Sequence, residues 1–85
     1  MFEVLLSKKV MKQLADVAIS DRKRIGDFLT ALEAYPEIHH LGTKKLQDQP
    51  SYRGRVGNYR VIFEVDGINR KILVTRVMDR KDVYR

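Results

Sequence analysis

Apolar residues follow two different periods along the chain, and the change from one to the other divides it into a helical first half and a stranded second half. A short β-branched and aromatic run, Phe2 to Leu6, ends at Ser7 and predicts an opening strand. From Lys8 the apolar positions Val10, Leu14 and Val17, with Met11 and Ala18 beside them, fall on one helical stripe and predict a first helix ending near Ala18. Ser20 or Asp21 offers an N-cap oxygen for a second helix, in which Ile25, Phe28, Leu29 and Leu32 recur at i, i+3, i+4 and i+7. Pro36 stops that helix near Tyr35. So short a connection between the two helices predicts an antiparallel hairpin.

Residues 37–51 follow neither period and contain Gly42, Asp48 and Pro50, so they read as a connecting segment, with one turn around Lys44 to Leu46. Three strands follow: Tyr52 to Val56, Tyr59 to Val65 and Arg70 to Met78, separated by the hairpin signals Gly57-Asn58 and Asp66-Gly67. Alternation puts Tyr59, Val61, Phe63 and Val65 on one face, which must lie against the helices because nothing else in the chain can cover it. Arg60 points the other way, and Arg53 and Arg55 share a face opposite Tyr52, Gly54 and Val56. The expected architecture is α+β in the order β-α-α-β-β-β. It is an antiparallel sheet with the helical hairpin on one face and a concave face bearing Arg53, Arg55 and Arg60 on the other.

Eighty-five residues suit one domain, 1–85, with a single thin core. The absence of cysteine removes disulfides, thiolate metal sites and thiol nucleophiles, and points to a cytoplasmic protein. Charged residues interrupt every apolar run, and the first residues carry an acid where a secretory signal wants a basic flank, so no membrane segment is expected.

Charge changes the picture more. Residues 1–43 carry six basic and six acidic groups, whereas residues 44–85 carry eleven basic against five acidic, so the whole net charge of +6 lies in the second half. Seven of those eleven are arginine, the side chain suited to bidentate phosphate contacts and to stacking on bases. A phosphate-rich partner is the leading inference, against a merely solvated, charge-mixed surface, with Lys44, Lys45, Arg76 and Lys81 as candidate RNA-binding residues around the three sheet arginines and the tail residues Arg80 and Tyr84.

Other chemistries lack their residues. Gly54-Arg55-Val56-Gly57 has no P-loop Lys-Ser/Thr and precedes a strand, no serine sits in a nucleophile elbow, and adjacent His39 and His40 in a loop do not make a metal site. No metal and no cofactor is expected. RNA cleavage remains open to an arginine cluster because the 2′-hydroxyl is a built-in nucleophile: the protein aligns it, neutralises the growing charge and manages the protons. Arginines suit the charge and serve poorly as bases. Binding a nucleic-acid backbone without cutting it is the equal alternative on chemistry alone.

The segments Lys45-Leu46, Tyr52-Arg53-Gly54-Arg55-Val56-Gly57-Asn58-Tyr59-Arg60 and Arg76-Val77-Met78-Asp79-Arg80-Lys81-Asp82-Val83-Tyr84 resemble the RelE branch of the RelE/ParE toxins of type II toxin–antitoxin systems. The similarity runs from the first strand to the end of the chain. It implies the same architecture and a ribosome-dependent endoribonuclease that cuts mRNA in the ribosomal A site, halts translation and is neutralised by a cognate antitoxin. By that resemblance Arg53 and Arg55 contact the mRNA phosphates and assist proton abstraction. Arg60 stabilises the transition state, Arg80 serves the leaving group, and Tyr84 stacks on a base. Tyr52 and Tyr59 read as core residues. Asp79 stands where many relatives have His, and Arg53 and Arg55 where some have Lys, which alters the acid–base inventory while keeping the phosphate contacts. The chain stops one residue after Tyr84, before a C-terminal helix that some relatives carry, which implies control by blocking or distorting the basic face. Two alternatives accompany this reading: a ParE-like toxin acting on DNA gyrase, and a non-catalytic RNA-binding relative.

Overall fold

The computed structural model describes residues 1–47 and 49–83. Its elements are β1 (Glu3–Leu6), α1 (Lys8–Ala15), α2 (Ile19–Ala31), β2 (Lys44–Lys45), β3 (Ser51–Val56), β4 (Tyr59–Asp66), β5 (Lys71–Asp79) and a short α3 (Arg80–Val83). The strands form one sheet in the order β1-β5-β4-β3-β2, with α1 packed on β5 and α2 on β3. No helix among the described residues is long and apolar enough to cross a membrane.

The α+β arrangement expected from the periodicities is present, with two corrections to the sheet. β1 pairs with β5 in parallel, Glu3 opposite Lys71 and Leu6 opposite Val74, while the other pairs are antiparallel. Hairpin signals report only neighbours in sequence, and the partner of β1 arrives after the entire helical and β2–β4 stretch. The turn expected at Lys44 to Leu46 is instead a two-residue strand, Lys44 opposite Arg53 and Lys45 opposite Tyr52.

The helices begin for different local reasons. Ser7 caps α1, its hydroxyl accepting from the Val10 N–H at 3.2 Å. α2 starts at Ile19 with Ala18 in the cap position and no side-chain cap, not at Ser20 or Asp21. Arg22 replaces the cap as the organising group: it donates to the Ala15 and Val17 carbonyls, at 3.2 and 2.9 Å, and so satisfies the end of α1 while fixing the three-residue turn before α2.

Val10, Val17, Ile25, Phe28, Leu29, Leu32, Ile38, Val61, Phe63, Ile72, Val74 and Val77 form the core, so the helical stripe of α2 and the inward face of β4 meet as their periods require. Phe63 anchors it, edge-on to Phe28 at 6.4 Å between centroids and stacked on Tyr52 at 5.5 Å.

Gly54 lets β3 lie close to α2. A Cβ placed there overlaps Phe28 Cζ and stands 2.8 Å from Cε2, and the Phe28 ring has little room to retreat beside Phe63. Gly54→Ala is expected to cost about 1 to 3 kcal/mol as an overpacked contact. Urea denaturation of Gly54→Ala beside the Gly54→Ala/Phe28→Leu pair checks this, because the smaller side chain should recover part of the loss.

The β4–β5 connection is held by Asp66. Its Oδ1 accepts from the Ile68 and Asn69 backbone N–H groups, both at 3.1 Å, and its Oδ2 from the Asn69 amide at 2.8 Å. These bonds, led by the Asn69 side chain, hold the Asp66 carboxyl below its ordinary value. A carboxyl lowered by folding stabilises the native state above its unfolded value and loses that contribution as pH falls through the native one. Chemical-shift titration of Asp66 should therefore place its midpoint below 3.8, with the turn loosening as the group protonates.

Candidate nucleic-acid interface

β3 and β4 place their side chains alternately toward the helices and toward the bare face of the sheet. Gly54, Val61 and Phe63 face the helices, so Arg53, Arg55 and Arg60 project from the bare face, as alternation requires. The strand registers then build two rows across the sheet. Lys44, Arg53, Ile62 and Arg76 stand opposite one another on β2, β3, β4 and β5, and beside them Arg55, Arg60 and Met78 stand opposite one another on β3, β4 and β5. Adjacent members of a row lie on strands about 4.8 Å apart.

Arg76 owes its place to a β-bulge. Phe63 pairs with Val74 and Ile62 with Arg76, leaving Thr75 as an extra residue whose hydroxyl donates to the Ile62 carbonyl at 3.3 Å. The buried residues of β5 are accordingly Ile72, Val74 and Val77, a step of two followed by a step of three. Unbroken alternation from Ile72 and Val74 turns Arg76 toward the helices; the bulge returns it to the bare face. Past the end of β1, Gln13 of α1 steadies this part of β5, its Oε1 accepting from the Val77 N–H at 2.8 Å.

Among the described residues the cationic groups on the bare face have no anionic partner. Among the described residues the one ion pair is Glu3 with Lys71, at 4.0 Å, and the guanidinium groups of Arg53, Arg55, Arg60 and Arg76 make no hydrogen bond. Arg55 directly opposes Arg60, and like charges so placed destabilise a sheet. A depression of about 490 Å³ opens where Lys44, Arg53, Arg55 and Arg60 converge, its rim completed by Gly42 and Gly57, both with positive φ. On the far side the face changes character: the next row is Ser51, Glu64, Leu73 and Leu5.

The other sequence candidates separate from this cluster. Lys45 is paired with Tyr52 and therefore on the helix side of the sheet. Arg80 and Lys81 open α3 and border a different depression, of about 520 Å³, with Asp21, Asn58, Tyr59 and Asp79. The Arg80 backbone N–H donates to the Asn58 carbonyl at 2.7 Å, tying α3 to the β3–β4 turn. Tyr59 is half-buried at the border of the core, and burial, then Asp79 and Asp21, push its hydroxyl above the ordinary tyrosine value. Tyr84 lies outside the described residues. No group of three potential metal ligands comes together among the described residues.

Sequence reading placed Gly42 in a connection and Gly57 in a hairpin turn without setting either beside the arginines, and it missed the bulge. The last had a signal, since Thr75 and Arg76 interrupt the apolar alternation of Ile72 and Val74 before Val77 resumes it. Chemically, the site can grip a polyanion and concentrate positive charge on one phosphate, with a surface too open to exclude water.

A family model described as ParE toxin of the type II toxin–antitoxin system, parDE, matches residues 4–84. Toxin RelE3 of Methanocaldococcus jannaschii is 35% identical over 85 residues, spanning 96% of this chain and 94% of that protein. The archaeal RelE–RelB complex of Pyrococcus horikoshii contains a chain that superposes with a TM-score of 0.82 at 28% identity, covering 93% of this chain and 94% of that one. In the RelB–RelE antitoxin–toxin complex of Methanococcus jannaschii the figures are 0.78 and 33%, with 94% of each chain covered. The family model, the sequence relatives and the superposed structures agree, and the chain belongs to the RelE branch of the RelE/ParE superfamily of type II toxin–antitoxin toxins.

Proposed function

We propose that this toxin is a metal-independent endoribonuclease that cleaves mRNA in the ribosomal A site, and that a cognate antitoxin silences it by covering the arginine face. The observation that carries the reading is the set of cations on that face, which have no anionic partner among the described residues and include the directly opposed Arg55 and Arg60. Such a pair lowers stability, so the site is better suited to an absent anion than to the fold itself.

The chemistry needs no cofactor. The ribose 2′-oxygen attacks the adjacent phosphorus, the bond to the 5′-oxygen breaks, and the products are a 2′,3′-cyclic phosphate and a 5′-hydroxyl. Lys44 and Arg53 at one end of the rows hold the entering backbone, while Arg55 and Arg60 face the reacting phosphate and offset the charge that builds on its oxygens. Guanidinium groups stay protonated, so Arg53 and Arg55 assist deprotonation of the 2′-hydroxyl by electrostatic stabilisation of its anion, its proton passing to water. Arg80 offsets the charge on the leaving 5′-oxygen, which takes its proton from water, and Tyr84 orients a base. Arg76 and Lys81 extend the phosphate track. The RelE relatives solved with RelB support an antitoxin for this chain, and a segment carrying acidic and apolar side chains matches arginine rows bordered by Leu5 and Leu73.

A second reading, inhibition of DNA gyrase, is favoured by the ParE description of the matching family model. Toeprinting of translating mRNA beside a gyrase supercoiling assay separates the two. The expected result is truncated message at A-site codons with supercoiling intact; inhibited supercoiling over intact message overturns the nuclease. Ribosome-bound message that stays whole while the toxin still binds RNA identifies a non-catalytic relative.

A further inference from the structure

Resting on the RNA reading above, we propose that a depression on the opposite side of β2, lined by Tyr35, Pro36, Ile38, His39, Thr43 and Tyr52, is a second RNA subsite. It takes one nucleobase of the same single strand that lies on the arginine face. The depression measures about 320 Å³, at the small end of the range for ligand sites. Among the described residues no acidic side chain lines it.

The topology makes the two sites continuous. β2 is the sheet's edge and only two residues long. Lys44 stands opposite Arg53 on the arginine face, and Lys45 stands opposite Tyr52 on the face of the depression. A strand leaving the Lys44–Arg53 end of the row therefore crosses one edge, about 5 Å wide, and meets a second ammonium beside a tyrosine. Lys45, separated from the arginine cluster by the pleat, then has a phosphate of its own to hold.

The lining suits a base. The Tyr52 ring is stacked on buried Phe63, 5.5 Å between centroids with 11° between planes, and the Tyr35 ring meets Phe2 edge-on at 5.0 Å. Both rings are thus fixed by the core, so little side-chain freedom is lost when a planar ligand adds to them. Phenylalanine would pack equally well against Phe63 and Phe2; the hydroxyl groups add nothing to those contacts. They adjoin instead: the Tyr52 hydroxyl as hydrogen-bond partner, followed by burial, raises the Tyr35 hydroxyl above its ordinary value, and a tyrosine hydroxyl can donate as well as accept. His39 is exposed at the rim and adds a ring nitrogen that can donate or accept. Stacking surface with a few hydrogen-bonding groups is what recognises an unpaired base.

An abasic scan tests the assignment. A fluorescent single-stranded oligoribonucleotide carrying 2′-O-methyl groups, which removes the nucleophile, is titrated with the toxin by anisotropy while one nucleotide at a time is made abasic. In the wild-type chain one position is expected to lose about 5- to 100-fold in affinity, the size of a stacked base. That position should become insensitive in Tyr52→Leu. If Tyr52→Leu does not fold, Tyr35→Phe/Tyr52→Phe and His39→Ala, which keep the rings or alter an exposed group, should reduce the same sensitivity several-fold, and Lys45→Ala should weaken every oligonucleotide alike.

An abasic profile unchanged in these variants, while Arg53→Ala and Arg55→Ala weaken binding, overturns the subsite and leaves the nuclease reading standing. Arginine variants that bind RNA as well as the wild type remove the reading beneath it. Variants that lose affinity for the antitoxin and keep the abasic profile assign the depression to protein docking and overturn the subsite.

Discussion

Arg60→Ala is expected to slow cleavage of ribosome-bound mRNA about 100- to 1000-fold, the usual effect of deleting one preorganised donor to a charged transition state, and to abolish growth arrest. Arg60 occupies the middle strand of its row, between Arg55 and Met78, so its charge meets a phosphate lying across β3 and β4 more directly than any neighbour. Its guanidinium makes no hydrogen bond and no ion pair among the described residues, so the fold loses little with it. Removing it also ends the repulsion with Arg55, and the variant should melt at or above the wild-type temperature. Single-turnover cleavage on programmed ribosomes, measured with thermal denaturation, checks both halves. A variant as toxic as the wild type contradicts the role given to Arg60; one that is inactive and unfolded shows instead that the side chain supports the sheet.

Phe63→Ala should act in the opposite way, with a loss of about 3 to 5 kcal/mol in stability through the cavity it leaves. Phe63 is fully buried, and both the edge contact to Phe28 and the stack on Tyr52 depend on its ring. Domains of this size hold only about 5 to 15 kcal/mol in total, so the variant should melt more than about 10 °C below the wild type or fail to accumulate. Retention of full thermal stability would mean that β4 presents its other face to the helices, which would also move Arg60 off the bare face.

The two substitutions sit three residues apart on one strand, and alternation alone distinguished them. Local patterns were enough wherever the deciding contact was local: the stripe Ile25, Phe28, Leu29 and Leu32, the hairpins around Gly57 and Asp66, and the shared face of Arg53, Arg55 and Arg60. They failed where a remote partner decided the outcome. The parallel pairing of β1 depends on β5 returning beside it, and the start of α2 depends on Arg22 reaching back to the end of α1. The separation of Lys45 from Lys44 needed β2 to be recognised as a strand, because only a pleat puts adjacent residues on opposite faces. Arg80 follows Asp79 closely in sequence, yet the end of β5 and the start of α3 give it neighbours different from those of the sheet arginines.

The opposed arginines have a consequence beyond catalysis. One strand spacing is well inside the roughly 8 Å over which physiological salt screens a charge, so adjacent cations of a row push on one another in the cell. Whatever anion settles on them relieves that strain. In the function proposed above, inhibition by an antitoxin and protection of the toxin from unfolding are then two results of a single binding event. On that same proposal, a toxin released from its antitoxin is at once armed and at its least durable, a built-in limit on how long the arrest lasts without RNA to hold.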